Sequence, residues 1–554
     1  MAEIRTDTVV AAALAAGWLL VSAATAQEAP GIRLNTIGYL PDARKTASIA
    51  GECLKFTVVR VKDGTKALDG PTGEPRRNRD TGEELCEADF SALREPGEYR
   101  LEVPGVGRSA PFRVASDVYN GPFRTVTRGM YLWRCGTAVR GTHGGETFAH
   151  GPCHTADAYL DYVGGGHERK DGTKGWHDAG DYNKYVVNAG VTVGCMFRAW
   201  EDFGPQVRKV RLDIPESGGR TPDFLAEIRW ELEWLLTMQA PDGSVYHKLS
   251  TTDFGGFLLP ELERADRYFT PWSSAATAGF VAMTAAAARH FKPFDPAFSD
   301  RCLAAARKSS AFLKAHPEDH RGDLRGFRTG GYQTGDPDDR LWAAAEVWET
   351  TGDAEALRDV QARIGSARGR FDADWDWGNV KNLGLLTWLL SKRQGRDEAL
   401  VQRVREDLLS TANGIVAAAK AHGYARPLGT RYYWGCNGSV ARQTLVLQAA
   451  CRLSGKPEYR QTALDALNHL FGRNCYGRSF VTGLGFRPPM RPHDRRSGGD
   501  KVDDPWPGYL IGGPHPRATD WRDVQGDYRT NEIALNWNGA LLYALAAFLD
   551  TPGP

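Results

Sequence analysis

A chain of 554 residues is too long for one average domain and implies two or three. At 42% hydrophobic and 25% charged it has an ordinary globular composition, not that of a disordered or fibrous protein. Sixty-nine basic side chains against 68 acidic ones leave a net charge of +1, so there is no electrostatic reason to expect nucleic acid or an anionic membrane as partner.

In chain order, residues 1–26 read as a secretion signal. An apolar run from Val9 to Ala24 ends in Ala24-Thr25-Ala26 before Gln27, a small-x-small cleavage site. The run is short for a bilayer span and contains Ser22, so cleavage is expected and the mature chain should be secreted or periplasmic, without a membrane partner. Residues 31–116 carry short β-rich runs such as Phe56-Thr57-Val58-Val59 and Tyr99-Arg100-Leu101-Glu102-Val103, separated by Gly, Pro, Asp and Asn. That pattern suits a small sandwich. Cys53 and Cys86 both fall within it, although sequence does not fix their pairing.

From residue 117 to 554 helical periodicity dominates. Thr221-Pro222 reads as a hydroxyl cap with proline in the first turn, and Leu225, Ile228, Leu232, Leu235 and Leu236 follow on one face. Further helical runs cover 275–291, 341–350, 440–454, 459–471 and 539–549. Gly352, Gly455 and Gly472 are placed as left-handed C-caps. Cys195, Cys302 and Cys451 are expected to be buried as small hydrophobes. Long loops rich in aromatics, Gly and Pro join the helices, and a binding site is expected there.

The stretch Gly175-Trp176-His177-Asp178-Ala179-Gly180-Asp181-Tyr182 sets two carboxylates three residues apart on a stiff turn. Close acids raise each other's proton affinity and can poise a water, whereas an Asp-Gly turn or calcium loop is the plainer reading. Glu532, in Asn531-Glu532-Ile533-Ala534, precedes an apolar run from Ala540 to Leu549. It reads either as a dipole partner at a helix start or as a carboxyl of raised proton affinity beside aromatic rings. Trp176, Tyr433, Trp434 and Tyr528 lie near these motifs as candidate stacking surfaces for sugar rings, with core packing as the alternative. Cys135, Cys153, His154 and His177 are four metal-ligand types at wide spacing, where a Cys135–Cys153 disulfide is the default in an exported chain. Asp336, Asp338 and Asp339 form an acidic turn suited either to calcium or to the start of a helix before Leu341.

Several of these segments together resemble glycoside hydrolase family 9, in its branch with an N-terminal immunoglobulin-like domain. The resemblance rests on His177-Asp178-Ala179-Gly180-Asp181-Tyr182 and on Ser479-Phe480-Val481-Thr482-Gly483 with Gly485, Arg487 and Pro492-His493-Asp494-Arg495. The spacing Asp523…Tyr528…Glu532…Asn538 and the segments Arg33-Leu34-Asn35, Gly38-Tyr39-Leu40-Pro41 and 99–103 add to it. Gly539 departs from the Ser, Thr or Ala usual at its place. The resemblance implies a mainly α chain, an (α/α)6-barrel catalytic domain after a small immunoglobulin-like β-sandwich. It implies Asp181 as base, Asp178 as its water-holding partner, Glu532 as acid, and His493 and Arg495 as substrate contacts. It also implies a structural zinc on Cys135, Cys153, His154 and His177, and calcium near Asp336, Asp338 and Asp339. The expected activity is inverting hydrolysis of β-1,4-glucosidic bonds in cellulose, β-glucans or cellodextrins, by a monomer. An exo-acting cellodextrinase or exo-β-glucosaminidase is the alternative enzyme. A non-catalytic glycan-binding protein would lack one of the acids, and none is missing.

Overall fold

A computed structural model describes residues 31–163, 166–367 and 370–550. The expected signal segment lies outside them. The first ten strands are β1 (Ile32–Arg33), β2 (Gly38–Tyr39), β3 (Thr46–Ala50), β4 (Lys55–Arg60), β5 (Lys66–Pro71), β6 (Arg76–Arg77), β7 (Glu84–Asp89), β8 (Gly97–Val103), β9 (Gly107–Arg108) and β10 (Phe112–Val114). One sheet runs β1-β3-β7-β6. The other runs β2-β10-β8-β4-β5, with β9 on β8. Strand β8 shows why they form a sandwich: Tyr99, Leu101 and Val103 alternate inward while their neighbours stay wetter. Tyr39 stands edge-on to Phe90 and Phe112, at 5.3 and 5.6 Å between centroids, in the apolar layer between the sheets. Cys53 and Cys86 are disulfide-bonded.

Among the described residues, twelve helices of ten or more residues follow. They are α1 (Asn120–Leu132), α2 (Val186–Val207), α3 (Asp223–Thr237), α4 (Ser274–Phe291), α5 (Pro296–Ala315), α6 (Pro337–Thr351), α7 (Ala354–Ser366), α8 (Lys381–Leu390), α9 (Glu398–Ala421), α10 (Cys436–Ser454), α11 (Pro457–Leu470) and α12 (Leu535–Ala546). Their mutual contacts sort them into two rings. The even-numbered helices are buried over most of their length, whereas α5, α7 and α9 bury a single stripe. In the inner ring α2 packs on α4, α4 on α6, α6 on α8, α10 on α12 and α12 on α2. The odd-numbered helices pack outside them. This is an (α/α)6 barrel. Small side chains let the inner helices approach, as in the alanine-rich α4.

The α2–α12 contact explains Gly539. A Cβ there would lie 2.7 Å from the Cα of Thr192, with no flexible side chain to give way. Gly539→Ser should therefore lower stability by about 1–3 kcal/mol through overpacking. Thermal denaturation checks this, and an unchanged midpoint would contradict it.

Several local expectations are corrected. Helix α3 begins at Asp223, and Thr221 does not cap it. The buried Asp223 carboxylate instead accepts from Leu212 N–H and the Ser217 hydroxyl at 2.8 and 2.6 Å, tying down the preceding loop. Gly352 and Gly455 are left-handed caps with φ of 75° and 72°, but Gly472 at φ 136° is not. It is glycine because the Leu34 carbonyl of the sandwich domain packs where a Cβ would be. Arg473 beside it reaches Ser48 Oγ at 2.9 Å and Glu87 at 2.7 Å, so this corner docks the two domains. Cys195 and Cys302 are buried as expected, whereas Cys451 is partly exposed. No described helix is long and apolar enough to cross a membrane.

Candidate active site

The turn at 175–182 is held from below by main-chain bonds. Cys135 N–H donates to the Gly175 carbonyl at 2.7 Å, His177 N–H to Trp133 at 2.9 Å, and Asp178 N–H to Asn183 at 3.0 Å. Gly175 sits at φ 77°, which favours glycine. Gly180 has no room for a side chain because the His493 carbonyl lies against it. The turn is thus pressed onto the 493–495 segment, where Arg495 N–H donates back to the Gly180 carbonyl at 3.1 Å.

Glu532 is not at a helix start. Residues 532–534 are extended and bridge to three segments: Glu532 pairs with His493, Ile533 with Ile511 and Ala534 with Ala179. Helix α12 begins only at Leu535, whose N–H donates to the Asp178 carbonyl at 2.8 Å. The segment bearing Glu532 and the turn bearing both aspartates are therefore stitched together through the main chain.

All three carboxyls line one cavity of about 740 Å³. Asp178 accepts from Asn188 Nδ2 at 2.6 Å and from the Tyr332 hydroxyl at 2.8 Å. Asp181 accepts from Asn183 Nδ2 at 2.7 Å and the Tyr185 hydroxyl at 3.1 Å. Burial, then the charges of Asp181 and Asp178, push the Glu532 carboxyl well above the usual range. Burial also raises Asp181, but Arg495, Asn183 and Tyr185 oppose the rise. Asp178 is driven well up by burial and by Asp181. All three are raised, Glu532 and Asp178 well so and Asp181 against the opposition of Arg495, Asn183 and Tyr185, so of the three Asp181 has the surroundings that best support a carboxylate.

His493 and Arg495 also line the cavity. His493 Nδ1 is 2.8 Å from the Gln525 carbonyl and must donate to it, which leaves Nε2 as the ring acceptor. Arg495 is braced through Nε on the Gly255 carbonyl at 2.9 Å. Trp434 and Tyr528, exposed at 48% and 41%, tilt against each other at the cavity wall, 5.4 Å between centroids.

Two expected stacking residues are placed elsewhere. Trp176 is fully buried under the turn, its indole N–H donating to Glu227 at 2.8 Å and its peptide N–H to Glu231 at 2.6 Å. Tyr433 gives its hydroxyl to Asp374 and is not among the lining residues.

The cavity also holds residues the sequence did not single out: Tyr185, Phe254, Tyr332, Asp376, Trp377 and Asn536. The only sequence signal at Tyr332 is the preceding Gly330-Gly331, and the structure sets it at φ 46°, rare for a side-chain-bearing residue. Asp376 is already engaged by Trp377 N–H at 2.8 Å, Asn536 Nδ2 at 2.6 Å and Arg442 at 2.8 Å.

Cys135, Cys153, His154 and His177 come together with one donor atom from each within 4.8 Å of the others, the only such group among the described residues. The two cysteines are not bonded to each other. Cys135 Sγ lies 3.7 Å from His154 Nδ1, and Cys153 Sγ lies 3.7 Å from His177 Nε2. Zinc bonds of about 2.0–2.3 Å to nitrogen and sulfur give tetrahedral edges of roughly 3.3–3.8 Å, so the group fits that ion. His154 Nε2 is oriented by Glu263 at 3.0 Å, the carboxylate–histidine support typical of metal ligands. The acidic turn is more committed to the protein. Asp336 pairs with Arg340 at 2.7 Å and Asp338 accepts from Val380 N–H at 2.6 Å. Asp339 is buried and keeps one oxygen without a partner.

A cleft over a barrel of paired helices that holds a glutamate and a pair of aspartates has the carboxyl groups that glycoside hydrolysis uses. A sequence model of glycosyl hydrolase family 9 matches residues 119–545, and one of the cellulase N-terminal Ig-like domain matches 27–108. The chain belongs to family 9. It is 56% identical over 526 residues to Endoglucanase D of Acetivibrio thermocellus, covering 94% of this chain and 84% of that one. A metagenome-derived family 9 endoglucanase superposes with a TM-score of 0.87 at 34% identity, over 94% of this chain and 99% of its own. A structure described as a Zn-binding triple mutant of the family 9 endoglucanase J30 superposes at 0.85 with 32% identity, over 92% and 99%.

Proposed function

We propose that the protein is an endo-acting, inverting β-1,4-glucanase, cutting cellulose chains, soluble β-glucans or cellodextrins. The observation that carries this is that Glu532 and Asp181 line one cavity, where burial and two aspartates raise the first well up while Arg495, Asn183 and Tyr185 hold the second back. Asp181 takes a proton from a water, aided by Asp178. The water oxygen bonds to the anomeric carbon on the face opposite the leaving oxygen. The glycosidic C–O bond breaks, and the Glu532 proton passes to that oxygen. Trp434, Tyr528 and Trp377 supply faces for sugar rings, and His493 and Arg495 supply directed hydrogen bonds. A glucosamine-directed reading is disfavoured by Asp376, since its carboxylate is already satisfied by three donors. Its likeness to Endoglucanase D supports endo action. Cellohexaose should be cut internally, and release of only glucose or only cellobiose from one end would point to the exo alternative.

The sulfur–imidazole group is read as a closed structural zinc site held by Cys135, Cys153, His154 and His177, supported by its donor set and spacing. When bound, the ion would fix the turn in which His177 adjoins Asp178, without an open position for chemistry. Purified protein should carry about one zinc per chain, and Cys135→Ser should lose the metal and lower activity and thermal midpoint together. A linked Cys135–Cys153 peptide in mass spectrometry would replace zinc with a disulfide. Calcium at the acidic turn stands beside the helix-start reading: Asp339 keeps a buried oxygen without a partner, but Asp336 and Asp338 are engaged by Arg340 and Val380 and the three do not gather as the sulfur–imidazole group does. On the calcium reading EGTA should lower the thermal midpoint, and an unchanged midpoint would remove calcium. The domain division, with the sandwich over 31–116 and the catalytic domain from 117 to 554, and action as an exported monomer complete the reading.

A further inference from the structure

Beneath the cavity a lysine is sealed into the protein. Lys248 begins the short strand Lys248–Ser250 and is fully buried. Its ammonium bonds go to neutral oxygens, Thr329 Oγ1 and the Gly330 carbonyl, both at 2.8 Å. The rings of Phe327 and Tyr185 lie 4.9 and 5.5 Å from it. Among the described residues no carboxylate pairs with it, and a buried cation so placed is costly.

What the lysine holds leads to the reacting groups. Gly330 N–H donates to the Tyr185 hydroxyl oxygen at 3.2 Å, and that hydroxyl donates to Asp181 Oδ2 at 3.1 Å. The Gly330 carbonyl held by the ammonium and the Gly330 N–H held by the phenol belong to successive peptides joined at its Cα, so the lysine fixes the position of the main chain that carries Tyr185 to Asp181. The adjacent His247 bonds the Gly331 carbonyl through Nε2 at 2.6 Å, so both carbonyls before Tyr332 are gripped, and Tyr332 is the residue that bonds Asp178.

We propose that Lys248 is a positioning residue that, by holding the Gly330 main chain and through it the Tyr185 hydroxyl, fixes Asp181, and that its charge acts through space beside that of Arg495 to favour the Asp181 carboxylate. The inference rests on the reading of Asp181 as the base. Burial lowers the Lys248 ammonium to about 8, and the charge that works against this fall is that of Asp181. The other groups that bear on Asp181 are Asp178 from its own turn, Glu532 from the 532–534 segment, Arg495 and His493 from the 493–495 segment, and Tyr185. Arg495 is the second cation, so removing Lys248 should weaken the charge support without abolishing it.

The test is the pH profile of kcat/KM on cellohexaose for wild type, Lys248→Gln, Lys248→Arg and Asp181→Asn. Lys248→Gln keeps a hydrogen-bond donor and loses the charge. Its acid limb should move to higher pH, so that kcat/KM falls roughly tenfold at the acid end and less near neutrality, with kcat rather than KM affected. Lys248→Arg, which restores charge, should move the limb back. Should Lys248→Gln not fold, Lys248→Met, which removes the charge and keeps the length of the side chain, takes its place and should shift the limb in the same direction. A role confined to stability would lower the thermal midpoint and leave the limb in place, and that result overturns the inference. An active Asp181→Asn would instead remove the base assignment on which it rests.

Discussion

Glu532→Gln should lower turnover of unactivated β-glucan by roughly 10²–10⁴-fold, because the amide keeps the shape of the side chain but has no proton to give. Substrates with a good leaving group should suffer less, since their departing oxygen needs little protonation. The pH profile should change with it. In the wild type Glu532 must be protonated, and burial with two nearby aspartates raises its proton affinity. Activity should therefore persist above the ordinary glutamic acid range and decline only as Glu532 loses its proton. The variant should lack that alkaline decline. Near-wild-type rates on cellulose would remove the assignment.

Asp181→Asn should be as damaging and less selective. The attacking water still has to lose a proton whatever the leaving group, so a fall of roughly 10²–10⁴-fold is expected on activated and unactivated substrates alike. The contrast with Glu532→Gln is the informative part. If a good leaving group rescued Asp181→Asn and not Glu532→Gln, the two roles would be exchanged. The asparagine should still accept from Asn183 Nδ2 or the Tyr185 hydroxyl through its carbonyl, so stability should change less than rate.

Much of this site was visible in the sequence because its parts are local. Asp178 and Asp181 share one turn, and Glu532 lies in a spaced motif near the C-terminus. Their meeting was not visible in residue types, since it depends on main-chain bridges such as Ala179 with Ala534 and His493 with Glu532. The same limit explains the misplaced aromatics. Nearness in sequence put Trp176 with the sugar-binding rings, whereas the structure buries its indole against Glu227. Tyr332, Asp376 and Lys248 reach the site from loops and strands far along the chain and belong to no short motif. In the fold, helical periodicity found the apolar runs but not their ends, which depend on tertiary contacts. Gly472 looked like a cap and is instead a point of contact with the sandwich. Gly539 looked like a departure and is instead what lets α2 and α12 touch.

The central claim is a single displacement by water, with Asp181 and Glu532 on opposite sides of the scissile bond. Proton NMR of the first products from a β-1,4-linked cello-oligosaccharide tests it most directly, followed before mutarotation mixes the anomers. Inversion predicts that the new reducing end appears first as the α-anomer and that the β-anomer grows in later. Initial release of the β-anomer would mean retention through a covalent intermediate, and would contradict both the base role of Asp181 and the acid role of Glu532 in a single displacement.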